Sequence, residues 1–129
     1  MHLHAALITA LNVVILFVAM GLVGRARGRF QIKAPAITGH PDFERAFRAH
    51  QNTLEQTVMF LPVLWLATLY GNEQFAAWLG YAWLVGRVWY VFGYVRAAGS
   101  RSAGFGIAIT AWFLLLAISL YSLVGKLLS

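Results

Sequence analysis

The chain contains 129 residues, of which 60% are hydrophobic and only 11% are charged. A soluble domain carries about 25% charged residues, so this composition excludes a soluble enzyme with an ordinary polar surface. It also excludes a disordered chain, because disorder requires low hydrophobicity together with high net charge. The absence of cysteine excludes disulfides, thiolate metal sites and a cysteine nucleophile. The net charge of +6 leaves a nucleic-acid partner open until the positions of the charges are considered.

Four apolar runs follow one another along the chain, at about residues 5–24, 48–70, 75–95 and 103–125. A helix of about 20 residues crosses a hydrocarbon core of about 30 Å. No Lys or Arg precedes the first run and a basic cluster follows it, so we expect a retained span and not a cleaved signal peptide. The pattern predicts an all-α membrane protein, a four-transmembrane-helix bundle in a single domain, residues 1–129.

The segment between the first two runs differs from its neighbours. It contains Pro35, Gly39 and Pro41, which predict a loop outside the bilayer. Asp42 follows these residues, and its side-chain oxygen could accept a hydrogen bond from a free backbone N–H of the next helix. We therefore expect Asp42 to be the N-cap of the second helix.

The basic residues indicate the orientation of the spans. Six of the ten lie after the first run and no later than Arg48, the first residue of the second, and Arg96 and Arg101 lie between the third and fourth runs. The positive-inside rule then places both loops in the cytoplasm and both termini outside. Because the charge follows this topology, and because the basic residues lack interleaved surface aromatics, we expect no nucleic-acid partner.

Two stripes of polar residues lie within the predicted spans. Insertion of a charged side chain into the membrane costs about 2.5–3.5 kcal/mol. Arg48, Asn52 and Glu55 are spaced i, i+4, i+7 and share one face of the second helix. Arg87, Tyr90 and Tyr94 are spaced i, i+3, i+7 and share one face of the third. If the two faces meet, Glu55 comes close to Arg87 and the other members line a polar cavity.

Two interpretations of these stripes remain open. In the first, Glu55 and Arg87 form an internal ion pair that fixes helix packing. In the second, Arg48, Arg87 and Arg101 surround a single carboxylate, and the surplus positive charge binds an anionic ligand, since guanidinium groups hold carboxylates bidentately. The number of converging polar groups favours the second.

The four histidines have no metal-ligand spacing, so the sequence predicts no metal site. His50 lies beside the stripe of Arg48, and we expect it at the edge of the ligand site.

Two segments resemble the signatures of a known family. Residues 43–55, FERAFRAHQNTLE, are similar to the E-R-x-x-R-A-x-x-N-x-x-E signature of the MAPEG family, the membrane-associated proteins of eicosanoid and glutathione metabolism. Residues 86–94, GRVWYVFGY, resemble the second signature, on the third span. The resemblance implies a bundle that assembles as a homotrimer and binds glutathione between subunits near the cytosolic face.

The resemblance also implies roles for individual residues. Arg101 matches an arginine that stabilises the glutathione thiolate, and Ser102 matches the serine beside it, so both are predicted to be catalytic. Arg27 matches an arginine that contacts glutathione from the neighbouring subunit. With the residues on the two stripes, the predicted glutathione-binding set is Arg27, Arg48, His50, Asn52, Glu55, Arg87, Tyr90 and Tyr94.

This chain departs from both eicosanoid-forming branches of the family. Gln56 stands where the leukotriene synthase branch has a tyrosine, and Tyr90 stands where the prostaglandin synthase branch has a histidine. The resemblance therefore does not imply an eicosanoid substrate for this chain. Glu55 and Arg101 are retained, and this favours an enzyme over the non-catalytic branch, which has aspartate at the first position and lacks the thiolate arginine.

The predicted function is a glutathione transferase, with possible peroxidase activity, in the inner membrane of a bacterium. Its second substrate would be an apolar electrophile or a lipid hydroperoxide that enters from the membrane lipid. One alternative is a non-catalytic lipid-binding protein of the same fold. Another is a small four-span exporter, which is disfavoured because such exporters need a carboxylate in the first span, where this chain offers only Thr9 and Asn12.

Overall fold

The computed structural model describes residues 1–129, with the exception of the side chain of residue 98. Four long α-helices follow one another: α1 (Leu3–Phe30), α2 (Pro41–Tyr70), α3 (Glu73–Arg96) and α4 (Ser102–Leu128). A short 3-10 turn, Ala98–Arg101, precedes α4. The predicted all-α bundle of four helices is confirmed. Each helix extends beyond its apolar run, because hydrogen bonding continues through the polar residues to the capping positions.

Two stretches are long and apolar enough to cross a membrane by composition: Leu3–Phe30 and Gly99–Leu128. Both are largely exposed on the outside of the bundle, as expected of helices that face lipid. The two middle helices, α2 and α3, carry the polar side chains described above. They pack against each other, and α2 also contacts α1 and α4.

The beginning of α2 differs from the prediction. The helix begins at Pro41, and His40 is its N-cap: the His40 Nδ1 accepts a hydrogen bond of 3.1 Å from the Asp42 backbone N–H. The prediction that Asp42 caps the helix is therefore wrong. Proline is favoured at the first helical position because it has no N–H to leave unpaired, and this places the cap two residues before Asp42. The Glu44 carboxylate accepts from the Gly39 N–H at 3.3 Å and closes the same turn.

The main core contains side chains from every helix. Phe60 of α2 and Trp83 of α3 are fully buried and stack with their ring centroids 3.7 Å apart. Ile8 of α1 and Leu115 of α4 complete the cluster and are also fully buried. These contacts fix the middle of the bundle and leave the polar stripes towards the end that holds the α1–α2 and α3–α4 connections.

Small residues bring α3 and α4 into close contact. A Cβ atom on Gly104 would lie 2.6 Å from the Gly86 carbonyl oxygen, and one on Gly86 would lie 2.7 Å from the Ala108 backbone nitrogen. The two backbones can approach this closely only because these side chains are absent. The contact holds the first turn of α4, with Arg101 immediately before it, against the tyrosines of α3.

Candidate functional site

A polar cavity of about 640 Å³ opens where α2, α3 and the start of α4 meet the α1–α2 loop. Its volume lies within the range of small-molecule sites, about 300–1,000 Å³. Its walls consist of Ile37, Thr38, Glu44, Phe47, Arg48, Gln51, Asn52, Glu55, Tyr90, Tyr94, Arg101, Ser102 and Phe105. The whole predicted stripe of α2 and the two tyrosines of the α3 stripe therefore open onto the same space.

One face of α2 forms the longest wall. Arg48, Asn52 and Glu55 lie along it as their spacing predicted, and Arg48 and Glu55 are exposed towards the cavity. Glu44 and Gln51 belong to the same face, one turn before Arg48 and one turn after it. The helix therefore presents charges of both signs to the space, with an amide between them.

The opposite wall is aromatic and carries a guanidinium at its rim. Tyr90 and Tyr94 are nearly buried and meet edge to face, with ring centroids 5.6 Å apart. The Arg101 Cζ lies 4.7 Å from the centroid of the Tyr94 ring. A cation at this distance from an aromatic face is attracted by the ring quadrupole, so Tyr94 helps to hold the exposed guanidinium at the cavity. Ser102 lies beside it and is also exposed.

Arg87 lies behind the wall of the cavity. Its side chain is fully buried, and its NH2 group donates to the Asn52 Oδ1 and the Thr53 Oγ1, each at 2.8 Å. The expected contact between Glu55 and Arg87 is not formed, and this part of the prediction is wrong. At 100° per residue Glu55 is about 200° around α2 from Thr53, so Thr53 faces α3 while Glu55 faces the cavity.

The charge balance of the cavity also differs from the prediction. Its walls carry two arginines, Arg48 and Arg101, and two glutamates, Glu44 and Glu55. The surplus of positive charge was predicted by counting Arg87 among the cavity residues and leaving Glu44 out. The observed walls instead match a ligand that carries both carboxylate and ammonium groups.

Besides Arg87, two predicted site residues lie outside the walls of this cavity. The Arg27 NH1 donates to the carbonyl oxygens of Ile32 (3.3 Å) and Ala36 (2.8 Å), and its Cζ lies 4.8 Å from the ring centroid of Phe43. Within the chain, Arg27 thus holds the loop that carries Ile37 and Thr38 to the cavity. His50 is partly buried on α2 and does not line the cavity.

Among the described residues, no group of three or more His, Asp and Glu side chains could hold a metal ion. The polar atoms around the cavity are thus those of amides, hydroxyls, guanidinium groups and separate carboxylates. Such a set binds a polar organic molecule through hydrogen bonds and ion pairs.

Comparison with known proteins identifies the family. The family model for MAPEG matches residues 5–121. The chain belongs to the MAPEG family. It is 43% identical to an uncharacterized protein of Synechocystis over 97% of this chain and 91% of that protein. It is 44% identical to human microsomal glutathione S-transferase 2 over 67% of this chain, and the match spans 59% of that relative's length. It is also 38% identical to guinea pig leukotriene C4 synthase, over 81% of this chain and 69% of that protein.

Several wall residues of this MAPEG protein were missed from the sequence. Glu44 and Gln51 continue the spacing of Arg48 and Glu55, with intervals of four, three and four residues, so the helical period could have found both. Phe105 lies one turn after Arg101 and could have been found in the same way. Ile37 and Thr38 belong to a loop, where no periodicity applies.

Proposed function

We propose that the protein is an integral membrane glutathione transferase, in which the cavity binds glutathione and activates its thiol. The observation that carries the proposal is the pairing of two arginines and two glutamates around one cavity, with Arg101 held over Tyr94 at its rim. Membership of the MAPEG family and the similarity to microsomal glutathione S-transferase 2 support it.

The walls match the chemistry of glutathione group by group. This tripeptide carries two carboxylates, one ammonium group and one thiol. The Arg48 guanidinium can bind a carboxylate with two parallel hydrogen bonds, and the Glu55 carboxylate can accept from the ammonium group. Asn52 and the hydroxyl groups of Tyr90 and Tyr94 supply neutral hydrogen-bonding positions between these ends.

Arg101 is placed to act on the thiol. A free thiol has a pKa of about 8.5, and a nearby guanidinium lowers this pKa because it stabilises the thiolate. Ser102 lies next to Arg101 on the wall and can donate a hydrogen bond to the same sulfur. The thiol then loses its proton to solvent, and the sulfur is ready to attack.

The second substrate is proposed to be apolar and to enter from the bilayer. In conjugation, the thiolate sulfur forms a bond to an electrophilic carbon, and the leaving group departs with the electron pair. With a lipid hydroperoxide, the sulfur attacks the terminal oxygen, the O–O bond breaks, and the lipid leaves as an alcohol. A second glutathione then reduces the sulfenic acid that has formed on the first, giving water and glutathione disulfide.

The setting proposed for this chemistry is a homotrimer in a bacterial inner membrane. We propose that all four helices cross the bilayer, with the α1–α2 and α3–α4 connections in the cytoplasm and both termini outside. Arg25 and Arg29 lie near one connection and Arg96 near the other, as the positive-inside rule requires. In the trimer, the open side of each cavity is covered by a neighbouring subunit, whose Arg27 contributes to glutathione binding.

Turnover by purified protein tests the proposal. The full chain in detergent is assayed with glutathione and either an aryl halide or a lipid hydroperoxide, beside Arg101→Ala and Arg96→Ala. Arg96 is a matched control, because it is exposed in the same connection and does not line the cavity. We expect Arg101→Ala to lose at least about a hundredfold in rate and Arg96→Ala to retain it.

Each contrary outcome excludes part of the proposal. Glutathione binding by calorimetry without turnover of any electrophile would favour a non-catalytic lipid-binding protein. No glutathione binding at all would overturn the assignment of the cavity.

A further inference from the structure

Arg87 lies behind the cavity wall and carries a buried charge. Arg87 is fully buried and donates to the Asn52 Oδ1 and the Thr53 Oγ1, both at 2.8 Å. We propose that Arg87 is a positioning residue: it fixes the Asn52 side-chain amide so that the amide NH2 group faces the cavity and donates to an oxygen of glutathione. This inference rests on the proposed function of the cavity.

Packing alone does not account for an arginine at this position. Among the described side chains, no carboxylate lies within ion-pairing distance of Arg87. A buried charge without a counter-ion is costly, and an apolar side chain of similar volume commonly stabilises a core better. The guanidinium is therefore expected to have a function that an apolar side chain could not perform.

Hydrogen-bond chemistry specifies what Arg87 does to Asn52. An amide side chain has an acceptor end and a donor end, and either can face a ligand. A guanidinium can only donate. If the Asn52 amide were reversed, its Nδ2 would face the Nη2 of Arg87. Both nitrogens are hydrogen-bond donors, and neither would have an acceptor. Arg87 therefore selects the orientation with Oδ1 directed inward, which leaves Nδ2 for the cavity that Asn52 lines.

Arg87 is itself held in place by its other neighbours. The Thr53 hydroxyl donates to the Ala49 carbonyl oxygen at 2.8 Å, so its oxygen is free to accept from Arg87. The Tyr90 ring lies against the other side, with its centroid 4.1 Å from the Arg87 Cζ. These contacts fix the guanidinium from two directions, and a rigid donor can orient its acceptor.

The position of Arg87 also restricts the group that Asn52 can recognise. Because the donor end is presented, the partner must be an oxygen acceptor, which in glutathione is a peptide carbonyl or a carboxylate. An amide free to reverse would accept equally well from a peptide N–H. Arg87 thus fixes the orientation of the Asn52 amide and makes it selective for an acceptor oxygen of the ligand.

A double-mutant cycle tests the inference in the full-length protein. Glutathione affinity is measured by calorimetry for the wild type, Arg87→Met, Asn52→Ala and the double variant. We expect each single variant to weaken binding about tenfold, the effect of one lost hydrogen bond. The double variant should then be no weaker than Asn52→Ala alone, because Arg87 acts through Asn52.

A stability control separates positioning from folding. Thr57 is buried on the same helix, its hydroxyl donates to the Thr53 carbonyl oxygen and lies 3.3 Å from the Asn12 Oδ1, and among the described residues it forms no side-chain hydrogen bond with Asn52 or Arg87. Thr57→Val should lower the midpoint of thermal unfolding and leave glutathione affinity unchanged.

In turnover, Arg87→Met should raise the KM for glutathione and change kcat less than about twofold. If Arg87→Met does not fold, Arg87→Gln, whose amide can both donate and accept and so no longer selects one orientation of Asn52, replaces it in the cycle.

Three outcomes would contradict the inference. Wild-type affinity in both Arg87 variants, about a hundredfold loss in the double variant, or an equal loss in Thr57→Val would each show that Arg87 does not act on the ligand through Asn52. Absence of glutathione binding by the wild type would instead refute the proposed function itself.

Discussion

The Arg101 guanidinium lies 4.7 Å from the centre of the Tyr94 ring, at the point where α3 and α4 meet above the cavity. The two residues lie on different elements of the fold. They are brought together by the close contact of α3 and α4 at Gly86 and Gly104. The cation that is proposed to act on the glutathione thiol is thus positioned by an aromatic ring on a different helix.

This relationship predicts an effect of the Tyr94 ring on turnover. Tyr94→Leu should lower kcat/KM for glutathione about tenfold, because a cation–π contact of about 1 kcal/mol or more is lost. Tyr94→Phe keeps the ring, loses only the hydrogen bond of the hydroxyl group, and should lose less activity than Tyr94→Leu. Tyr121, which is 84% exposed and remote from the cavity, provides the control Tyr121→Leu. Equal losses in Tyr94→Phe and Tyr94→Leu would assign the effect to the hydroxyl group and not to the ring.

The second prediction concerns the Glu55 carboxylate and the ammonium group of glutathione. Glu55→Gln should raise the KM for glutathione about tenfold, because a charge-assisted hydrogen bond is replaced by a neutral one. Glutathione acylated on its amino group should bind weakly to the wild type and equally weakly to Glu55→Gln. Glu73→Gln, at the opposite end of the bundle beside His2, is the matched control. A tenfold preference of Glu55→Gln for unmodified over acylated glutathione would place the ammonium group elsewhere.

The third prediction tests the contact between α3 and α4. Gly104→Ala places a methyl group against the Gly86 carbonyl oxygen and the Tyr90 backbone, neither of which can move without displacing a helix. We expect a loss of about 1–3 kcal/mol in stability, measured as a lower thermal midpoint in detergent. Gly106→Ala on the same helix has nothing within 4 Å and should not lower the midpoint, because alanine favours a helix over glycine. A similar fall in both variants would show that the α3–α4 contact is not the cause.

The fourth prediction concerns the loop that Arg27 braces. Arg27→Met removes the donors to the carbonyl oxygens of Ile32 and Ala36. Amide hydrogen exchange of residues 31–40 should become faster, and glutathione affinity should fall, because the loop supplies Ile37 and Thr38 to the cavity wall. Arg25→Met, at an exposed position two residues earlier, should change neither quantity. Lost affinity with unchanged exchange would show that Arg27 acts only by direct contact with the ligand of a neighbouring subunit and not through the loop.

The general form of the molecule could be predicted from the sequence because it depends on local properties. Runs of apolar residues define helices by their length, and a period of 3.6 residues shows which side chains share a face. Arg48, Asn52 and Glu55 were placed together on this basis, and the structure lines one cavity with all three. The MAPEG signatures in residues 43–55 and 86–94 led to the family that the comparison confirmed.

The details that failed depend on how two helices meet. Periodicity gives the relative angle of side chains on one helix, but the rotation of α2 against α3 is set by packing of residues such as Phe60 on Trp83. That rotation directs Thr53 towards Arg87 and turns Glu55 away from it. The prediction of the α2 cap failed for a local reason, because the proline at position 41 is the first helical residue and the helix begins earlier than predicted.

The central claim is that the cavity stabilises the thiolate of glutathione through Arg101. Its most direct test is the ultraviolet absorbance of the thiolate, recorded as a function of pH with glutathione bound to the wild type and to Arg101→Ala. We predict that bound glutathione titrates with a pKa below the value of about 8.5 for a free thiol in the wild type, and near it in the variant. Titration at the free-thiol value in both proteins, with glutathione bound, would contradict the account.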